Sequence, residues 1–157
     1  GWYLSIVDVL LIMLDIILLV LFGTTLSTII CYPLKTQGQM SAVGTIISSG
    51  YGFICGAYMP ISQFGNVLQN ILSFFPSTYA TSLIRNHTMR GIISEMKKIG
   101  FPNEAIINIE NSVDYNTYFF GNLVKVWQMY LILGGFIIIM IIFFVVLNKI
   151  KLKNKNN

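Results

Sequence analysis

Charge is scarce in this chain. Lys, Arg, Asp and Glu make up 10% of its 157 residues, against roughly 25% in soluble proteins. With 55% apolar residues and a mean hydropathy of +0.72, that deficit excludes a water-solvated globule. Histidine occurs once, at His87, and cysteine twice, at Cys31 and Cys55. Such a set offers no metal-ligand spacing, and the two thiols, expected at opposite membrane faces, are not expected to pair. No glycine-rich loop followed by Lys-Ser/Thr occurs, so ATP binding of the P-loop kind is excluded. Gly50-Tyr51-Gly52 lacks the further glycine of a dinucleotide fingerprint, and there is no Gly-x-Ser-x-Gly elbow. Asp8 and Asp15 lie about 10 Å apart along one helix, too far for shared-proton chemistry. The chain is therefore not expected to be an enzyme. No catalytic residue, metal or cofactor is assigned to it.

Long apolar runs are what the sequence does have. They give three expected spans, at residues 4–30, 40–58 and 123–147. A hydrocarbon layer about 30 Å thick takes roughly 20 helical residues to cross. The first and third runs exceed that; the second reaches it only with its polar flank. The length fits a single unit. The chain opens on Gly1 with no basic n-region and no small-residue cleavage site, so it reads as a piece of a longer membrane protein rather than one led by a signal peptide.

The net charge of +4 is a matter of placement, not of nucleic-acid binding. Lys149, Lys151, Lys153 and Lys155 follow the last span, and Lys35 sits in the turn between the first two. Basic residues without acids mark the cytoplasmic side, so both are expected in the cytosol, the tail as residues 148–157. Arg85, Arg90, Lys97 and Lys98 are balanced by Glu95, Glu104, Glu110 and Asp114, and residues 85–122 are expected outside. Trp2, Tyr3, Tyr58, Tyr115, Tyr118, Trp127 and Tyr130 all fall near expected outer ends, where amphipathic rings favour the interface.

Three features interrupt the apolar segments. A mid-span Asp costs about 2.5–3.5 kcal/mol, while each Val, Leu, Ile or Phe around it returns about 0.3–0.6. Twelve such residues within 9–22 let the first span insert despite Asp15. Asp8 and Asp15 share one helix face, which must look toward protein or water. They either line a polar pathway, or Asp8 sits at the outer interface while Asp15 bonds to a neighbouring helix. In the second span Gly44, Ser48, Gly52 and Gly56 recur every four residues, a ladder of small side chains that suits close helix packing in lipid. After it, Phe64, Val67, Leu68, Ile71 and Leu72 follow helical spacing between Pro60 and Pro76, too short a stretch to cross a bilayer. Residues 60–84 are expected to form a re-entrant hairpin of two short helices on the outer side. Broken backbone at membrane depth persists only where protein or a wet cavity shields it. Met89, Ile92, Ile93, Met96 and Ile99 then give a surface helix, ended by Gly100 and Pro102. The fold class is thus an all-α integral membrane protein, three spans plus the hairpin between the second and third.

Two motifs in order, Gly56-Ala57-Tyr58-Met59-Pro60-Ile61 and Phe75-Pro76-Ser77-Thr78-Tyr79-Ala80-Thr81-Ser82-Leu83-Ile84-Arg85, follow the small-residue helix. In this arrangement the chain resembles the C-terminal half of an ABC-2 type transporter permease, over about residues 4–147. The resemblance implies an exporter of drug-like, lipidic or glycan substrates, multi-pass in the cell membrane, working by alternating access. It implies a dimer with a second permease copy or paralogue, an upstream half with the first three helices, and a separate ATPase chain where ATP and Mg are bound. It makes residues 60–84 an outer gate, with Pro60, Pro76, Tyr79 and Arg85 in its motifs. An alternative is a non-transporting membrane anchor or immunity factor that binds a partner through the glycine ladder.

Overall fold

The computed structural model describes residues 3–155; Trp2, expected as an interface anchor, lies outside them, as do the last two residues of the basic tail. In chain order the elements are α1 (Ile6–Cys31), α2 (Gln37–Ile54), α3 (Asn66–Leu72), α4 (Pro76–Lys98), α5 (Asn103–Ser112), β1 (Thr117–Phe119), β2 (Asn122–Val124) and α6 (Val126–Lys155). A 3-10 turn at Ile61–Gln63 precedes α3.

Local chemistry sets the helix ends. Ser5 Oγ accepts from Val7 N while Asp8 Oδ2 accepts from Ser5 N at 3.0 Å, a capping box that starts α1. Thr36 and Gln39 form the same device for α2. Pro76 opens α4 at a position whose missing N–H leaves no bond unmade. Gly56 and Gly100, both at φ 73°, follow the ends of α2 and α4, where a left-handed residue terminates the helix.

α1, α4 and α6 form the core. As α1 advances from Asp8 to Asp15, its partners on α4 recede from Arg90 to His87, so these two run antiparallel. α6 meets Asp15 through Tyr130 and Tyr32 through the Leu147 carbonyl, so it runs parallel to α1. The buried residues of α1 are Asp8, Asp15 and Phe22, a seven-residue spacing that keeps them on one face. Phe22 joins Tyr79, Ala80 and Leu83 of α4 and Met129, Leu133, Ile137 and Met140 of α6 in one apolar cluster. The three helices pack against one another, and α4 buries nine of its 23 residues.

The boundaries differ from the sequence expectation in four places. Two helices, Ile6–Cys31 and Val126–Lys153, are long and apolar enough to cross a membrane; the helix of the expected second span is 18 residues, buries no side chain and is too polar to join them. Residues 60–84 are not two short helices. α3 has seven residues, whereas α4 runs on through Arg85 and absorbs the surface helix expected at 89–99. No proline lies between Pro76 and Pro102 to stop it. The expected outer segment 85–122 therefore begins inside a core helix. The fold is also not purely α: β1 and β2 pair antiparallel, Phe119 opposite Asn122. Phe120 at φ 48° and Gly121 at φ 79° make the two-residue connection, both left-handed as a tight hairpin requires. The hairpin consumes residues 122–124, which delays α6 to Val126.

Candidate functional site

The chain is broken between α2 and α4, and α4 supplies the groups that close the break. A helix leaves its last carbonyls without intrahelical partners. For α3, Thr78 Oγ1 donates to the Leu72 carbonyl at 2.9 Å and the Tyr79 hydroxyl donates to the Ser73 carbonyl at 2.6 Å. For α2, Thr81 Oγ1 donates to the Cys55 carbonyl at 2.5 Å and Arg85 Nη2 donates to the Gly56 carbonyl. Residues from three turns of one helix thus satisfy the ends of two others. Pro76 and Tyr79 are buried here, while Pro60 is half-buried beside the 3-10 turn.

Arg85 also anchors the far side of the break. Its Nη1 lies 3.0 Å from Asp114 Oδ2. The same carboxylate accepts from Ser62 N at 2.9 Å and from Ile61 N. Asp114, at φ 51°, occupies the left-handed region, which Asp tolerates better than most side chains. One ion pair therefore holds the 3-10 turn, α4 and the segment after α5 together.

Further along α4 the partners come from α1. Asp15 is fully buried; Tyr130 donates its hydroxyl to Oδ1 at 2.5 Å and His87 Nδ1 lies 2.6 Å from Oδ2. An ionised carboxylate only accepts, so with Asp15 charged the bond would run from Nδ1–H to Oδ2. Asp8 is buried as well, with the Arg90 guanidinium against its Oδ1 as an ion pair that lacks hydrogen-bond alignment. Gly91 fits against the start of the chain: a Cβ there would stand 1.9 Å from the Tyr3 carbonyl oxygen.

No family model matches the chain, and neither does any curated protein or solved structure. What the site can do rests on its own geometry.

Of the residues singled out in the sequence, Asp8 and Asp15 come together with α4, and Asp8 also lines a cavity of about 500 Å³ with Arg90, Gly91 and Ser94. Each is engaged by a group from α4, Asp8 by Arg90 and Asp15 by His87. Gly44, Ser48 and Gly52 border a cavity of about 290 Å³ between α2 and α1, with Gly23 and Ser27 opposite. A Cβ at Gly44 would meet nothing within 4 Å, and one at Gly52 would strike the ring of its own chain's Tyr58 at 2.3 Å. The ladder thus faces a gap within this chain, and Gly56 serves as the turn that ends α2. Cys31 and Cys55 are free thiols that border the same cavity. His87, Tyr130, Gly91 and Asp114 were not singled out as site residues. His87 carried one usable signal, as the sole histidine of the chain, and Asp114, in the polar stretch from Glu110 to Thr117, carried none. Gly91 carried none.

Proposed function

We propose that the chain is the C-terminal half of an ABC-2 type export permease, acting in the cell membrane with its upstream half, a second permease copy and a separate ATPase chain. In this reading α1 and α6 span the bilayer, α2 spans it with its polar side covered by other helices of the transporter, and residues 60–84 are the outer gate of an alternating-access exporter of drug-like, lipidic or glycan molecules. The two apolar helices support a membrane setting. The observation that carries the proposal is the sealed break. The carbonyls at the ends of α2 and α3 are taken by Thr78, Tyr79, Thr81 and Arg85, the two bonds to α3 buried and the two to α2 part-buried. That is the condition under which irregular backbone persists at membrane depth, and a gate needs such a break to move.

Affinity capture of the tagged full-length protein from native membranes tests it. A P-loop ATPase should copurify, and Tyr79→Phe should slow export while leaving that capture intact. A partner set with no ATPase would defeat the proposal. It would favour the second reading, a membrane anchor or immunity factor docking through α2, for which the unburied face of that helix speaks.

A further inference from the structure

A second cavity lies beside the gate segment, and its lining is unlike the rest of the molecule. It measures about 210 Å³ and is enclosed by the 3-10 turn, α3, the first two turns of α4 and the segment running from the end of α5 into β1. Its walls present Ser73, Thr78, Ser82 and Thr117, all buried, together with the amides of Gln69 and Asn116. Thr117 Oγ1 is buried with no hydrogen-bond partner among the described residues. An unpartnered hydroxyl in such a place costs about 1–3 kcal/mol unless a ligand or water satisfies it.

The cavity is also electrically neutral. Asp114 is the one charged side chain in its lining, and its two oxygens are occupied by Arg85 Nη1 and by the N–H groups of Ile61 and Ser62. A cation would find no free carboxylate, and an anion would meet a carboxylate with no unpaired base beside it. Ser73, Thr78, Gln69 and Asn116 spend their donors on oxygens of the protein and keep acceptor capacity, so with the unpartnered Thr117 hydroxyl the lining matches an uncharged ligand that chiefly donates hydrogen bonds, as a polyol does. Tyr118, half-exposed, adds an aromatic ring at the rim.

We propose that this cavity binds a neutral, multiply hydroxylated group about the size of one sugar ring. The group is supplied either as a free saccharide or as the headgroup of a neutral glycolipid. The proposal goes beyond the exporter reading and does not depend on it, since binding is measured without transport.

Saturation-transfer NMR on the full chain, purified in a detergent without a sugar headgroup, tests it. Methyl glucoside, methyl galactoside and N-acetylglucosamine form the first arm, glucuronate and glucosamine the charged comparators, and a monoglucosyl diacylglycerol in mixed micelles the second arm. Neutral sugars should show transfer that saturates with a Kd on the order of 1 mM, and charged ones should show none. Thr117→Val should weaken binding at least about fivefold, and Thr117→Ser should restore it. Ser82→Ala, a smaller perturbation, should weaken binding as well, so that misfolding of one variant does not leave the matter open. Transfer to the glycolipid alone would assign the headgroup as the source. Silence in both arms, equal binding of the charged sugars, or full binding by both hydroxyl-deletion variants would overturn the proposal.

Discussion

Asp15 is the residue on which the core helices converge. Its carboxylate is enclosed by side chains from the other two core helices, and no water is needed to complete its bonds. Removing one member of a buried, charged set is more costly than the set is worth, because the survivors lose their partners. Asp15→Leu should therefore destabilise the protein by about 3–5 kcal/mol, read as a fall in unfolding midpoint in detergent. Asp15→Asn keeps an acceptor for Tyr130, so its loss should stay under about 2 kcal/mol. Equal damage from both would show that the charge, not the hydrogen bonding, holds the helices. Gly91 gives a second contrast. In a helix interior Gly→Ala gains up to about 1 kcal/mol of propensity. At Gly91 the added carbon meets a backbone oxygen at 1.9 Å, and overpacking of that kind costs about 1–3 kcal/mol. The clash wins there, whereas Gly44→Ala, in open space, should be neutral or stabilising. Thermal unfolding of the two variants side by side checks the sign.

At the scale of elements, α4 does the joining. Its hydroxyls cap α2 and α3, and Arg85, His87 and Arg90 reach Asp114, Asp15 and Asp8. Asp114 is the remote end of that system, so Asp114→Ala should free the 3-10 turn. Loss of charge-assisted bonds worth about 1.5–3 kcal/mol should raise hydrogen exchange at the Ile61 and Ser62 amides by at least about tenfold. The amides within α6 should keep their protection; if both sets rise together, the ion pair stabilises the whole fold rather than the break. This element was also the hardest to read in the sequence. Helix ends were legible where short-range chemistry sets them: Gly100 and Pro102 end α4 as their residue types require, and Pro76 begins it. The polarity of Arg85–Arg90 suggested solvent, however, because the groups that pair with it are far away in the chain. Asp15 is 72 residues from His87 and 115 from Tyr130. A lone histidine and an aromatic near a span end look inert until a fold brings one carboxylate to both. The hairpin at β1 and β2 escaped for the opposite reason. Its strands are three residues each, too short for alternation to register.

Across the whole molecule the charged groups divide between two ends. At one, the turn after α1 approaches the basic tail: Tyr32 donates to the Leu147 carbonyl at 3.1 Å, and Lys151 Nζ stands 4.7 Å over the Tyr32 ring. Lys35 is exposed in the same turn, with no acid among its hydrogen-bond partners. At the other end positive charge is matched, Lys97 with Glu110 at 3.3 Å and Lys98 with Glu95 at 3.4 Å. We propose that the end with the basic tail is the cytosolic one, since Lys149, Lys151, Lys153 and Lys155 cluster directly after a span. The parallel course of α1 and α6 makes the assignment collective, because either helix placed the other way would carry its basic end with it. Single cysteines introduced in a Cys31→Ser, Cys55→Ser background test this with an impermeant thiol reagent. Asn103→Cys, at the start of α5, should be modified from outside, and Lys149→Cys only after the cytosolic face is opened. Asn70→Cys on α3 is the decisive site: reaction from outside alone places the broken segment on the side away from the lysines, as a re-entrant gate demands. Reaction from the cytosolic face would reverse that segment and remove the basis for the exporter reading, while leaving the three-helix core and its Asp15 junction untouched.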